Sequence, residues 1–164
     1  MLTDPAPDPA PRDADPALYT ARVENTGGTS GRVLVHDAHA VELGTAQLEE
    51  GEEITLPTGG PQPSASGFNP EQFLAMAWST CLGETLRVVL TEHGLDLESS
   101  VSVEMGLHRD PAGGFRFVPR ALVHIDSLAP DRALELAEAA HARCPVSKLL
   151  RGQGAADVEL GIRP

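Results

Sequence analysis

Phe68-Asn69-Pro70-Glu71-Gln72-Phe73-Leu74-Ala75-Met76-Ala77-Trp78-Ser79-Thr80-Cys81 marks the start of a long helix several times over. Asn69 suits the N-cap, Pro70 the first helical position, and Gln72 the position where a capping box takes Gln or Glu. Phe68 and Phe73 stand where a hydrophobic staple places its two side chains. Helical spacing then continues through Leu74, Trp78, Cys81, Leu82, Leu86 and Val89, one apolar stripe with a thiol in it, and Gly94 is a good residue to end on. Cys81 thus falls in mid-helix, where it can be either core filler or nucleophile.

Upstream of this helix, residues 1–17 alternate Pro, Ala and Asp with almost nothing to bury, and are expected to be a disordered tail ahead of a single domain at 18–164. Leu18–Val23 and Arg32–His36 read as strands around the turn-rich Asn25-Thr26-Gly27-Gly28-Thr29-Ser30-Gly31. Ala40-Val41-Glu42-Leu43 is a weaker third strand, Glu49 to Glu53 an acidic rim, and the Gly- and Pro-rich segment from Pro57 a loop. Beyond Gly94, two β-like runs at Ser99–Leu107 and Phe115–Ile125 flank Asp110-Pro111-Ala112-Gly113-Gly114, a hairpin loop. A second helix begins near Pro130, with Ala133, Leu136, Ala137 and Ala140 on one face. Pro145 ends it just before Cys144, which continues that face. A short helical piece over Val146–Leu150 and a strand at Asp157–Ile162 close the chain. Strands, long helix, two strands, helix, strand is an α+β order, not a run of βαβ units.

The 164-residue chain carries a net charge of −12, which disfavours nucleic-acid backbones and anionic membranes as partners. Apolar runs short of membrane length and an N-terminus unlike a secretory signal suit a cytoplasmic protein. Two cysteines without an export signal point to a reducing compartment, where a disulfide is more often transient and catalytic than structural. A thiolate is the reactive form, burial opposes it, and mid-helix placement denies Cys81 the field of a helix N-terminus. A reactive Cys81 therefore needs a cation from elsewhere, and Glu84 one turn on would oppose its ionisation. Spacing does not choose among Arg22, Arg32, Arg87, Arg143 and Arg151. His141 and Cys144 have the spacing of a metal-ligand pair, but no second close pair accompanies them, so no metal or cofactor is expected. A Gly-x-Ser-x-Gly elbow does not occur, and Gly27-Gly28 and Gly59-Gly60 have no phosphate-loop lysine.

Asn69-Pro70-Glu71-Gln72 leading to Cys81, then Ala140-His141-Ala142-Arg143-Cys144-Pro145-Val146-Ser147, resembles the OsmC/Ohr family of organic hydroperoxide reductases. The Thr26-Gly27-Gly28 turn and Arg151-Gly152 are similar to it as well. The resemblance implies an intertwined homodimer with antiparallel sheets packed around long central helices. It implies a thiol peroxidase in which Cys81 attacks a hydroperoxide, Cys144 resolves the sulfenate as a disulfide, and a dithiol such as dihydrolipoamide reduces it. In such proteins an arginine stabilises the thiolate and a glutamate, here matched by Glu71, holds that arginine. The arginine normally follows the two glycines, and this chain has Thr29 there; Arg32 is the nearest substitute, provided that the turn resets the strand register. The alternative is a redox-sensing or ligand-binding member of the same fold without catalysis.

Overall fold

The computed structural model describes residues 16–36, 56–61 and 67–152. Most of the expected tail, the third strand at 40–43, the acidic rim and the closing strand at 157–162 lie outside these residues.

Two hairpins and three helices follow one another as expected: β1 (Tyr19–Thr26), β2 (Arg32–His36), α1 (Pro70–Glu92), β3 (Ser99–Arg109), β4 (Phe115–Ile125), α2 (Pro130–Arg143) and α3 (Pro145–Leu150). The strands form one antiparallel sheet in the order β2-β1-β3-β4. β1 thus pairs with β2 on one side and with β3, distant in sequence, on the other. Asp110 turns the β3–β4 hairpin by accepting the Ala112 amide at 2.8 Å, and Gly113 and Gly114 take the positive φ values that the return requires.

α1 starts as its sequence dictates. The Asn69 side chain accepts the Gln72 amide at 2.8 Å, and the Gln72 side chain accepts the Asn69 amide at 3.0 Å, completing a capping box. Phe68 and Phe73 meet edge-on with ring centroids 5.6 Å apart. Tyr19 anchors the cap to the sheet by accepting the Asn69 amide group at 2.9 Å. At the other end Gly94 adopts φ 68°, a left-handed exit open to glycine at no steric cost.

Trp78, Leu82, Leu86, Val89 and Leu90 bury one flank of α1 against the inward residues of the sheet, Ala21 and Val23 of β1 and Val101, Val103 and Met105 of β3. Burial alternates in β3 from Val101 to Met105, as the period-two geometry of a strand with one covered face requires. α2 closes the other flank through Leu136, Ala140 and Cys144. Each fully buried Leu or Val contributes about 1.5–3 kcal/mol relative to exposure, so this layer holds α1 in place. With 23 residues, α1 has the length and mean hydropathy of a membrane span, which the reading of short apolar runs did not foresee. Its covering by sheet and helix makes it the core of a packed domain, and Glu84 and Arg87 interrupt its apolar surface.

Candidate active site

Three pieces of chain converge on Cys81: α1 itself, the glycine turn between β1 and β2, and the elbow between α2 and α3.

The turn is ordered by Asn25, a buried side chain at the end of β1. Its amide oxygen accepts the Gly28 N–H at 3.0 Å, while its amide nitrogen donates to the Gly28 carbonyl at 3.2 Å and to Thr80 Oγ1 on α1 at 3.4 Å. Gly28, at φ 60°, lies directly on the helix, where an added Cβ would fall 2.8 Å from the Glu84 Cα. Gly83 faces the turn in the same way, since its Cβ would fall 2.7 Å from Asn25 Oδ1. Two glycines therefore let two backbones touch, and the contact carries Thr29 to Glu84. The Thr29 amide donates to Glu84 Oε2 at 3.1 Å, and Arg87 Nη1 donates to the same oxygen at 2.8 Å. The Thr29 amide first, and the Arg87 guanidinium with it, hold the Glu84 carboxyl below the usual carboxylate range.

The elbow exists because Pro145 forbids helical geometry at Cys144, which is extended at φ −62°, ψ 123°. Cys144 still donates its amide to the Ala140 carbonyl at 2.9 Å, and its own carbonyl accepts the Lys148 amide at 3.0 Å. It ends α2 and begins α3 at once. Its side chain is fully buried, and its Sγ lies 3.4 Å from Cys81 Sγ, with both cysteines free. One residue earlier, Arg143 grips Glu92 at the end of α1 through Nη1 and Nη2, fixing the elbow from outside.

Cys81 opens into a depression of about 620 Å³ lined by Met76, Ala77 and Pro145 and by Thr29, Glu84 and two further threonines. Ala77 also belongs to a neighbouring apolar depression walled by Phe68, Phe73 and Leu74, so the two adjoin along α1. Burial raises the Cys81 thiol above its ordinary range; the Val146 amide, which donates to the sulfur, opposes this, and the adjacent Cys144 adds to the rise.

The four residues singled out from the sequence part company here. Cys81 and Cys144 are brought together. Arg32 is not brought to them within one chain: it pairs opposite Thr26 in the β1–β2 register, whereas Ala21, Val23 and Asn25 are the residues of β1 that face α1. The turn preserves the strand register instead of resetting it, and Arg32 lines a different cavity with Gly31, Arg87 and Glu98. Glu71 is buried in the first turn of α1, where the helix dipole favours a carboxylate. Its Oε2 has no hydrogen-bond partner among the described residues. No positively charged side chain is among the described residues that line the Cys81 depression.

Sequence reasoning missed the roles of Asn25, the Val146 amide and the Thr29–Glu84 contact. Gly83, facing Gly27-Gly28 across the fold, was the available signal, because small residues on two segments mark where backbones approach. It also missed a buried cluster behind the elbow, in which the Trp78 indole donates to Ser147 Oγ at 2.8 Å and His141 Nδ1 lies 2.9 Å from the same oxygen.

Comparison with known proteins agrees with this architecture. The profile of the OsmC-like protein family matches residues 62–160. The chain is 31% identical to the organic hydroperoxide resistance protein OhrB of Bacillus subtilis over 148 residues, 90% of this chain and 99% of that one. The crystal structure of that OhrB superposes with a TM-score of 0.56, at 30% identity, over 83% of this chain and 93% of that one. An organic hydroperoxide resistance protein OsmC from Legionella pneumophila also superposes with a TM-score of 0.56, at 27% identity, over 84% of this chain and 93% of that one. The thiol pair thus sits in a fold shared with proteins named for hydroperoxide resistance, and the chain belongs to the OsmC-like protein family.

Proposed function

We propose that the chain is a thiol peroxidase that reduces organic hydroperoxides, with Cys81 as the attacking thiol and Cys144 as the resolving one. The observation that carries this is two free thiols 3.4 Å apart, one of them opening into an apolar depression. The Cys81 thiolate attacks the terminal peroxide oxygen; the O–O bond breaks, and the departing alkoxide takes a proton to become the alcohol. The Cys144 thiol then displaces hydroxide from the Cys81 sulfenic acid, forming the S–S bond and releasing water. A small dithiol, dihydrolipoamide-like, reduces the disulfide and leaves as its own cyclic disulfide. An apolar lining favours alkyl over hydrogen peroxide by roughly 0.8 kcal/mol for each CH₂ that it buries. The protein works as a homodimer, to which its exposed Leu34, Phe115, Phe117 and Leu122 lend support.

Thr29 occupies the family's arginine position, so Cys81 reacts from a raised pKa and the peroxidase is slow at neutral pH. Glu71 then serves as an N-terminal helix acid, with no guanidinium on its Oε2 among the described residues. These same two features favour a second reading, a redox sensor whose disulfide forms once and is not turned over. Consumption of cumene hydroperoxide coupled to oxidation of dihydrolipoamide separates the two. The peroxidase gives many turnovers per subunit and loses them in Cys81→Ser, while a sensor stops after one equivalent.

A further inference from the structure

Ser147 Oγ is fully buried and has two polar neighbours whose hydrogen-bonding roles can be assigned. The Trp78 indole nitrogen can only donate, so at 2.8 Å the hydroxyl accepts from it. Of the two neighbours only His141 Nδ1, at 2.9 Å, can take the hydroxyl proton, and when it does the imidazole is the neutral tautomer with its proton on Nε2. Burial, and the charge of Arg151 behind it, favour that neutral form.

The placement of the three groups is what gives the cluster a consequence. His141 lies three residues before Cys144 on α2, Ser147 three residues after it on α3, and Trp78 three residues before Cys81 on α1. The chain Trp78–Ser147–His141 therefore ties the helix that carries one thiol to both helices that flank the other. Trp78 and His141 line a separate cavity of about 280 Å³ against β4, and neither lines the depression where a peroxide would meet Cys81.

We propose that His141, acting through Ser147, is a positioning residue that sets Cys144 for attack on the oxidised Cys81. The proposal rests on the dithiol peroxidase reading above. A disulfide needs its sulfurs at about 2.05 Å, so the 3.4 Å pair must still close by more than 1 Å in a defined orientation. Misplacement of reacting atoms by about 1 Å can cost on the order of 100-fold in rate. Releasing the elbow slows resolution above all, and reaches the peroxide step only through the Val146 amide at the Cys81 sulfur.

Single-turnover mixing with tert-butyl hydroperoxide, resolving sulfenate formation from disulfide formation, tests this. In His141→Leu and in Ser147→Ala, disulfide formation is expected to slow by about tenfold or more while sulfenate formation stays within about twofold of wild type. Sulfinic acid should then accumulate on Cys81 under excess peroxide. His141→Asn, whose side-chain oxygen can accept the Ser147 proton where Nδ1 did, should recover resolution to within about threefold. Unchanged resolution in His141→Leu, an equal loss of both steps, or no recovery in His141→Asn would overturn the proposal. A wild-type protein that forms sulfenate and never a disulfide would overturn the dithiol reading with it, whereas normal disulfide formation in all the variants would overturn the His141 role alone.

Discussion

At Cys81, the Val146 amide favours the anion, while burial and the neighbouring Cys144 disfavour it and have the larger effect. Below its pKa a thiol's anionic fraction rises tenfold for each pH unit, so the rate of the first oxidation should climb by about one log unit per pH unit through neutrality. Stopped-flow oxidation by tert-butyl hydroperoxide would show this slope, and a plateau beginning below pH 7 would speak against it. Glu84 lines the same depression as an ionised carboxylate. Neutralising it in Glu84→Gln removes a negative charge about one turn from the sulfur and leaves Arg87 without its partner. The expectation is a lower Cys81 pKa and a few-fold faster first step near neutrality, checked by thiolate titration and the same kinetics. Arg32→Ala should change that step by less than about twofold, because strand register carries Arg32 to another cavity. Cys81 itself was legible from the helical stripe around it. Whether a cation would reach it was not, because that turns on how many residues the glycine turn inserts before β2, and local pattern does not encode the count.

α1 is the element best written into the chain. Asn69, Pro70, Gln72 and the two phenylalanines each specify the same start by short-range geometry, and the structure makes every one of those contacts. Asn69→Ala removes the cap and strands the Tyr19 hydroxyl, which should cost about 1–2 kcal/mol, read as a lowered urea midpoint at unchanged slope. Leu86→Ala, in the fully buried centre of the helix, should cost about 2–5 kcal/mol by the same measurement. The elbow was legible only in part. Pro145 announces the end of α2, yet nothing in the spacing of Cys81 and Cys144 says that their sulfurs meet. Their approach depends on Leu136 and Ala140 docking α2 on α1, a packing outcome between segments distant in sequence. The Thr29–Glu84 clamp was hidden for the same reason, since it needs Gly28 and Gly83 face to face across the fold.

At the scale of the whole molecule, the described residues form one sheet covered on one face by α1, with large apolar side chains left exposed on its strands. A surface of that kind calls for a partner, and a second copy fits the dimer that the family resemblance implied. Analytical ultracentrifugation should give a species of twice 17.3 kDa at micromolar concentration, and a monomer would contradict it. The α+β class and the family were readable from short motifs because those motifs sit at the two elements that build the thiol site. The proposed reaction turns on one covalent event, the bond between Cys81 and Cys144. Peptide mass mapping after one equivalent of cumene hydroperoxide should show the Cys81 and Cys144 peptides joined with the loss of two hydrogens. Recovery of a Cys81 sulfinic acid beside an unmodified Cys144 thiol, or of both thiols untouched, would contradict it.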